Sequence, residues 1–143
     1  MTPVNFAGHT RYLNYSMAVL MDVDEKFGGV EMLLDAFNGE AEGVDRFQAF
    51  AWAFVRMAND GEQKIANDGY ESLPPLREED LPPQMQPITY SRLQQAMVDE
   101  ITLAYNHEYT EEESKEIDLG LAELRKKKES PVRTTERTIT LSD

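Results

Sequence analysis

Histidine, cysteine and clustered carboxylates are the side chains that would give this chain a chemistry, and each falls short of a working arrangement. Cysteine is absent, which excludes disulfides, thiol nucleophiles and thiolate metal sites. The two histidines, His9 and His107, fall in an expected turn and at an expected helix end, without partners at zinc or triad spacing. Asp22-Val23-Asp24-Glu25 begins like a calcium loop, which needs oxygen ligands at positions 1, 3, 5 and 12 and glycine at 6. Counted from Asp22, those last three places hold Lys26, Leu33 and Phe27, so the run reads as a solvated helix face. Gly28-Gly29 lacks the spacing and the Lys-Ser/Thr pair of a phosphate loop. The carboxylate runs Glu78-Asp80 and Glu111-Glu113 sit at expected helix starts, where the positive end of the helix dipole accounts for them. These residues indicate no catalytic site, no bound metal and no cofactor.

The elements around them are mainly helical. Val4 and Phe6 alternate before Ala7-Gly8-His9, and Tyr12 follows, which predicts a short N-terminal β-hairpin. Two strands alone are marginal in water, so the ribbon must lie on helices. Ser16 suits the N-cap of a first helix, with Met17, Leu20, Met21, Val23 and Phe27 as its apolar face and Gly28-Gly29 as its stop. A second helix carries Val30, Leu33, Leu34 and Phe37 and ends at Asn38-Gly39. A third starts near Asp45, repeats Phe47, Phe50, Ala51, Phe54, Val55 and Ala58 at helical spacing, and is expected to close at Asn59-Asp60-Gly61. The prolines at 74, 75, 82, 83 and 87 forbid a long helix across that stretch. One short turn is expected over Arg77–Leu81, with Leu73, Leu76, Leu81 and Met85 packed inward. A fourth helix is expected from Thr89 to Asn106, with Tyr90, Leu93, Met97, Ile101, Ala104 and Tyr105 as its stripe. The fold class is therefore a small helical domain of four to five helices with an N-terminal hairpin.

Three regions divide the chain: a helical body over 1–107, an acidic-to-basic helix over 108–129 and a polar tail over 130–143. The middle region opens on Thr110-Glu111-Glu112-Glu113, a capping-box pattern, and closes on the basic run Arg125-Lys126-Lys127-Lys128. Its stripe of Ile117, Leu121 and Leu124 is narrow, as suits a helix that folds on a partner. Trp52 lies roughly 120° around the third helix from the centre of its stripe, at 100° per residue. That leaves it packed under the hairpin or facing a partner, where tryptophan is enriched. Trp52, Ile117, Leu121 and Leu124 are thus the candidate partner-binding residues.

A net charge of −13 over 143 residues repels nucleic acid and anionic membrane and favours basic partner surfaces. Residues 1–107 hold 7 basic against 17 acidic side chains, and residues 108–143 hold 7 against 10. No apolar run approaches the ~20 residues of a membrane span, and the first residues lack the basic and apolar regions of a secretory signal.

The order Gly8, Leu13, Tyr15-Ser16, Glu25 to Gly29, Leu33 to Phe37 and Asn59 to Glu62 resembles the tail assembly chaperones of long-tailed bacteriophages. Glu78-Glu79-Asp80-Leu81 and the helix from Tyr90 extend the likeness, which covers residues 4–107. The resemblance implies a non-catalytic protein that binds the tape measure protein and helps recruit tail tube subunits. It also implies action in the host cell cytoplasm, absence from the mature virion and a second, frameshifted length; self-association is a further open expectation. A different class fits the charge: an acidic decoy that mimics nucleic acid and occupies a host DNA-binding protein. The carboxylates are interrupted by Arg46, Arg56 and Arg92, which argues against the ordered rows a decoy needs.

Overall fold

A computed structural model describes residues 1–82 and 85–106. The chain begins with strands β1 (Thr2–Phe6) and β2 (His9–Leu13), paired antiparallel with Phe6 opposite His9 and Thr2 opposite Leu13. The two-residue turn places Ala7 at φ 51° and Gly8 at φ 81°, the doubly left-handed backbone that matches strand twist in a tight hairpin. Helices α1 (Met17–Phe27), α2 (Val30–Phe37), α3 (Arg46–Asn67) and α4 (Pro87–Asn106) follow, with a 3-10 turn at Glu78–Asp80. The expected fold class is the observed one, with four helices among the described residues.

α3 is the axis. The hairpin, α1, α2 and α4 all pack against it or against one another around it. Phe54 meets Phe6 of the hairpin edge-on at 5.6 Å, while Phe50 stacks on Phe54 and meets Tyr90 of α4 at 4.7 Å. Leu13, Val23, Leu33, Phe50, Phe54, Met57 and Met97 are fully enclosed. Burying side chains of this size stabilises by roughly 1.5–3 kcal/mol each relative to exposure, so this shared core is what holds the four helices and the ribbon together. A smaller cluster of Met1, Tyr12, Ile65 and Tyr70 lies toward the C-terminal end of α3.

The expected helix stops are only partly observed. Ser16 caps α1 by accepting from the Val19 N–H at 3.4 Å, and Gly28 ends the helix at φ +89° with its N–H on the Asp24 carbonyl. Asp45 caps α3, accepting from the Gln48 N–H at 2.8 Å. The expected stop at Asn59-Asp60-Gly61 does not exist: α3 runs through it to Asn67, and Asn67-Asp68-Gly69 ends the helix instead. The side chains at 59–62 are spent on tertiary contacts. Asn59 donates to the Leu76 carbonyl at 3.0 Å and accepts from the Leu76 N–H at 2.9 Å. Asp60 accepts from Asn14 at 2.8 Å, and Glu62 accepts from the Leu73 N–H at 2.6 Å. At Gly61 a Cβ would stand 1.7 Å from the Tyr12 carbonyl oxygen. Glycine is there so that the ribbon can lie against the helix, and its cost of about 1 kcal/mol in a helix interior is outweighed by that contact.

Three other expectations are corrected. Met17 and Met21 are 67% and 63% exposed, and the inward face of α1 is Val19 and Val23. Two residues at 100° each turn a side chain about 200° around the axis, so the methionines lie nearly opposite the valines. α4 begins at Pro87, two residues before Thr89, because proline at a first helical position gives up an N–H that has no partner there. Its outer end is also less apolar in contact than expected, with Ala104 exposed and Tyr105 50% exposed. Leu81 is enclosed, and Leu76 and Met85 pack on the core as expected.

Candidate partner-binding groove

The ends of α1 and α3 meet beside the 3-10 turn and leave a groove of about 760 Å³. Three elements supply its wall. Phe27, the last residue of α1, is held there by the Gly28 stop; Phe47 and Trp52 come from the first two turns of α3; Val44, 39% exposed, precedes the Asp45 cap. Phe27 and Trp52 meet edge-on at 5.5 Å. Trp52 therefore packs on the end of α1 and not under the hairpin, which occupies other turns of α3. It is half-buried and still lines the groove.

Charge surrounds this apolar wall. The Lys26 ammonium lies 5.4 Å from the Trp52 ring and 6.0 Å from the Phe27 ring, a cation–π geometry worth about 0.5–1 kcal/mol at an exposed site. Glu78 and Glu79 of the 3-10 turn also line the groove. Arg77 bridges Glu79 at 3.2 Å and Asp80 at 3.3 Å. The Arg77 backbone N–H, and then its guanidinium, hold the Asp80 carboxyl below its ordinary range. Glu78 has no ion-pair partner among the described residues. A second, more polar cleft of about 520 Å³ lies between α2 and α4, where Gln94 donates to the Phe37 carbonyl at 3.2 Å.

The other candidate residues are dispersed. His9 is exposed at the hairpin turn, and His107 lies outside the described residues. Asp22 is taken up by Arg56 of α3, whose Nε donates to it at 2.9 Å. Glu78 and Glu79 line the groove, Asp80 is engaged by Arg77, and Glu111–Glu113 lies outside the described residues. Among the described residues no three His, Asp or Glu side chains converge as a metal site. Ile117, Leu121 and Leu124 also lie outside the described residues, as do the 108–129 and 130–143 regions. Of the candidate partner-binding positions, only Trp52 is placed.

A buried polar cluster sits at the other end of the molecule. Glu100 of α4 is 2% exposed and accepts from the Thr2 hydroxyl at 2.9 Å and the Tyr15 N–H at 3.2 Å. The Met1 ammonium lies 3.7 Å from it, and burial lowers the pKa of that ammonium although Glu100 opposes the shift. Every group here faces the fold, so its role is to fasten α4 to the ribbon. Sequence pattern alone did not reveal Phe27, Phe47, Val44 and Lys26 as groove residues. The only available signal was an aromatic just before a glycine stop, which any buried helix end also shows.

No described helix is long and apolar enough to cross a membrane. No protein-family model, curated protein or solved structure matches the chain.

Proposed function

We propose that this protein acts by binding another polypeptide, as a tail assembly chaperone of a long-tailed bacteriophage. In this role it engages the tape measure protein in the host cytoplasm, assists recruitment of tail tube subunits and leaves before the virion is complete. The observation that carries the reading is the Trp52 groove, an aromatic wall open to solvent on a strongly acidic body. A holdase needs apolar surface for its client and like charge to stay dispersed, and this chain combines the two. The sequence resemblance supplies the client; one of its landmarks, Asn59–Glu62, lies within α3 and marks no helix boundary. The decoy alternative is not favoured, since Glu62 and Glu100 are buried and Asp22 is paired with Arg56.

Co-expression with the adjacent tail genes tests the role. Tape measure protein is expected to remain soluble with the intact chain and to precipitate with Trp52→Ala. Equal solubility and tail assembly in the complete absence of this chain would refute the assignment.

A further inference from the structure

The groove beside Trp52 already holds a cation on its aromatic wall. The Lys26 ammonium lies 5.4 Å from the Trp52 ring and 6.0 Å from the Phe27 ring, and it makes no ion pair among the described residues. Three carboxylates, those of Asp45, Glu78 and Glu79, line the same groove against that single basic side chain. We propose that the client segment this groove takes carries an arginine next to a bulky apolar residue, and that the arginine displaces Lys26 from the Trp52 ring. The inference rests on the reading of the groove as the client's site and adds what that site selects.

Each part of such a segment has its counterpart in the groove. Val44, Phe47 and Pro82 offer apolar surface to a leucine, methionine or phenylalanine. The Trp52 face attracts a cation through its ring quadrupole. A guanidinium suits that face better than an ammonium, because it is planar, stacks on aromatic rings and is more weakly hydrated. Its N–H groups also donate to carboxylates. Glu79 is already bridged by Arg77 at 3.2 Å, and Asp45 accepts from the Gln48 N–H. Glu78 has no ion-pair partner among the described residues and is the carboxylate left for the client. The net charge of −13 draws a basic segment in and opposes a second copy of this chain, which brings the same charge. Lys26 competes with the arginine for one ring face, so removing its charge tightens binding.

Trp52 is the only tryptophan, so its emission follows occupancy of the groove in a titration of the full-length chain. The probe is a synthetic peptide of leucine and arginine, compared with copies in which lysine or citrulline, the uncharged isostere, replaces arginine. The arginine peptide should bind tightest and the citrulline peptide weakest. Lys26→Met keeps the apolar stem and should tighten the arginine peptide about threefold. Glu78→Gln should weaken it by up to about fivefold. Glu31→Gln, an equal loss of charge at an exposed position outside the groove, should change it much less. Equal binding of the lysine or citrulline peptide would overturn the inference, as would unchanged emission with every peptide. Weaker binding to Lys26→Met would also overturn it, and so would equal effects of the two glutamate substitutions, which would reduce the attraction to net charge. If these peptide effects fail while tape measure protein is still kept soluble on co-expression, the arginine selection falls and the assembly role stands.

Discussion

The two halves of α3 are built for opposite ends. From Met57 to Asn67 the helix is sealed: the hairpin backbone lies on Gly61, and Asn59, Asp60 and Glu62 bind backbone or side-chain groups of other segments. From Arg46 to Val55 the helix is aromatic, and part of that surface, Phe47 and Trp52, still lines an open groove. Both halves thus build the core through residues such as Phe50, Phe54, Met57 and Ala58, but only the apolar half also retains aromatic surface in an open groove. A buried polar group costs about 1–3 kcal/mol if left unpaired, so polar side chains in a closed interface specify one geometry. Aromatic faces tolerate many partners, and are what a binding protein can leave open.

The largest expected effect lies in the sealed half. Gly61→Ala gains up to about 1 kcal/mol of helix propensity, but its methyl group would meet the Tyr12 carbonyl oxygen at 1.7 Å. Backbone cannot rotate away as a side chain can. A net loss of about 3 kcal/mol is expected, at the upper end of overpacking, measured as a lower urea midpoint. A neutral or stabilising result would mean that the ribbon does not sit on this helix. Asn59→Ala should cost about 1–2 kcal/mol, since it removes both hydrogen bonds that hold Leu76. Limited proteolysis should then cut within 71–76 before the rest of the chain. Cleavage elsewhere first would show that Asn59 does not anchor this loop.

What was legible in the sequence, and what was not, follows the same division. Local chemistry declared itself at Ser16, Gly28 and Asp45 because a cap is satisfied within one turn of the chain. The hairpin was legible because alternation and a Gly turn are local too. Asn59-Asp60-Gly61 misled because the same residue types serve turns and long-range contacts, and only the fold shows Tyr12 and Leu76 beside them. Pro87 reads from sequence as a barrier, because its place at the very start of a helix depends on where that helix begins. The groove was half legible: Trp52 stood off its stripe, but its neighbour Phe27 is distant in sequence and meets it only in the fold.

A smaller effect is expected in alkaline solution. Tyr15, 6% exposed, lies at the end of the ribbon with its ring 5.9 Å from that of Tyr105. Burial, then the neighbouring Tyr105, raises its pKa well above the ordinary tyrosine value. The unfolded chain releases this proton near pH 10 while the folded chain keeps it. Over that window the unfolded state binds fewer protons, so stability falls as pH rises above about 10. Tyr15→Phe should reduce the slope of the urea midpoint against pH in that range. An undiminished slope would place Tyr15 in contact with water and loosen the sealed half at its edge.

The smallest effect tests the open side of the comparison. Met17 and Met21 occupy successive turns of α1 and are 67% and 63% exposed, although they are among its most apolar side chains. Exposed substitutions away from caps and buried networks usually change stability by no more than about 0.5 kcal/mol. Met17→Gln with Met21→Gln should therefore leave the urea midpoint almost unchanged. It should also leave Trp52 emission unchanged, because neither methionine lines the groove. If client solubilisation fell while both readouts held, the outer face of α1 would be a second part of the binding surface, separate from Trp52. If stability itself fell well beyond that range, these methionines would have to be covered in the folded protein. The division between a sealed and an open side would then need to be redrawn around α1.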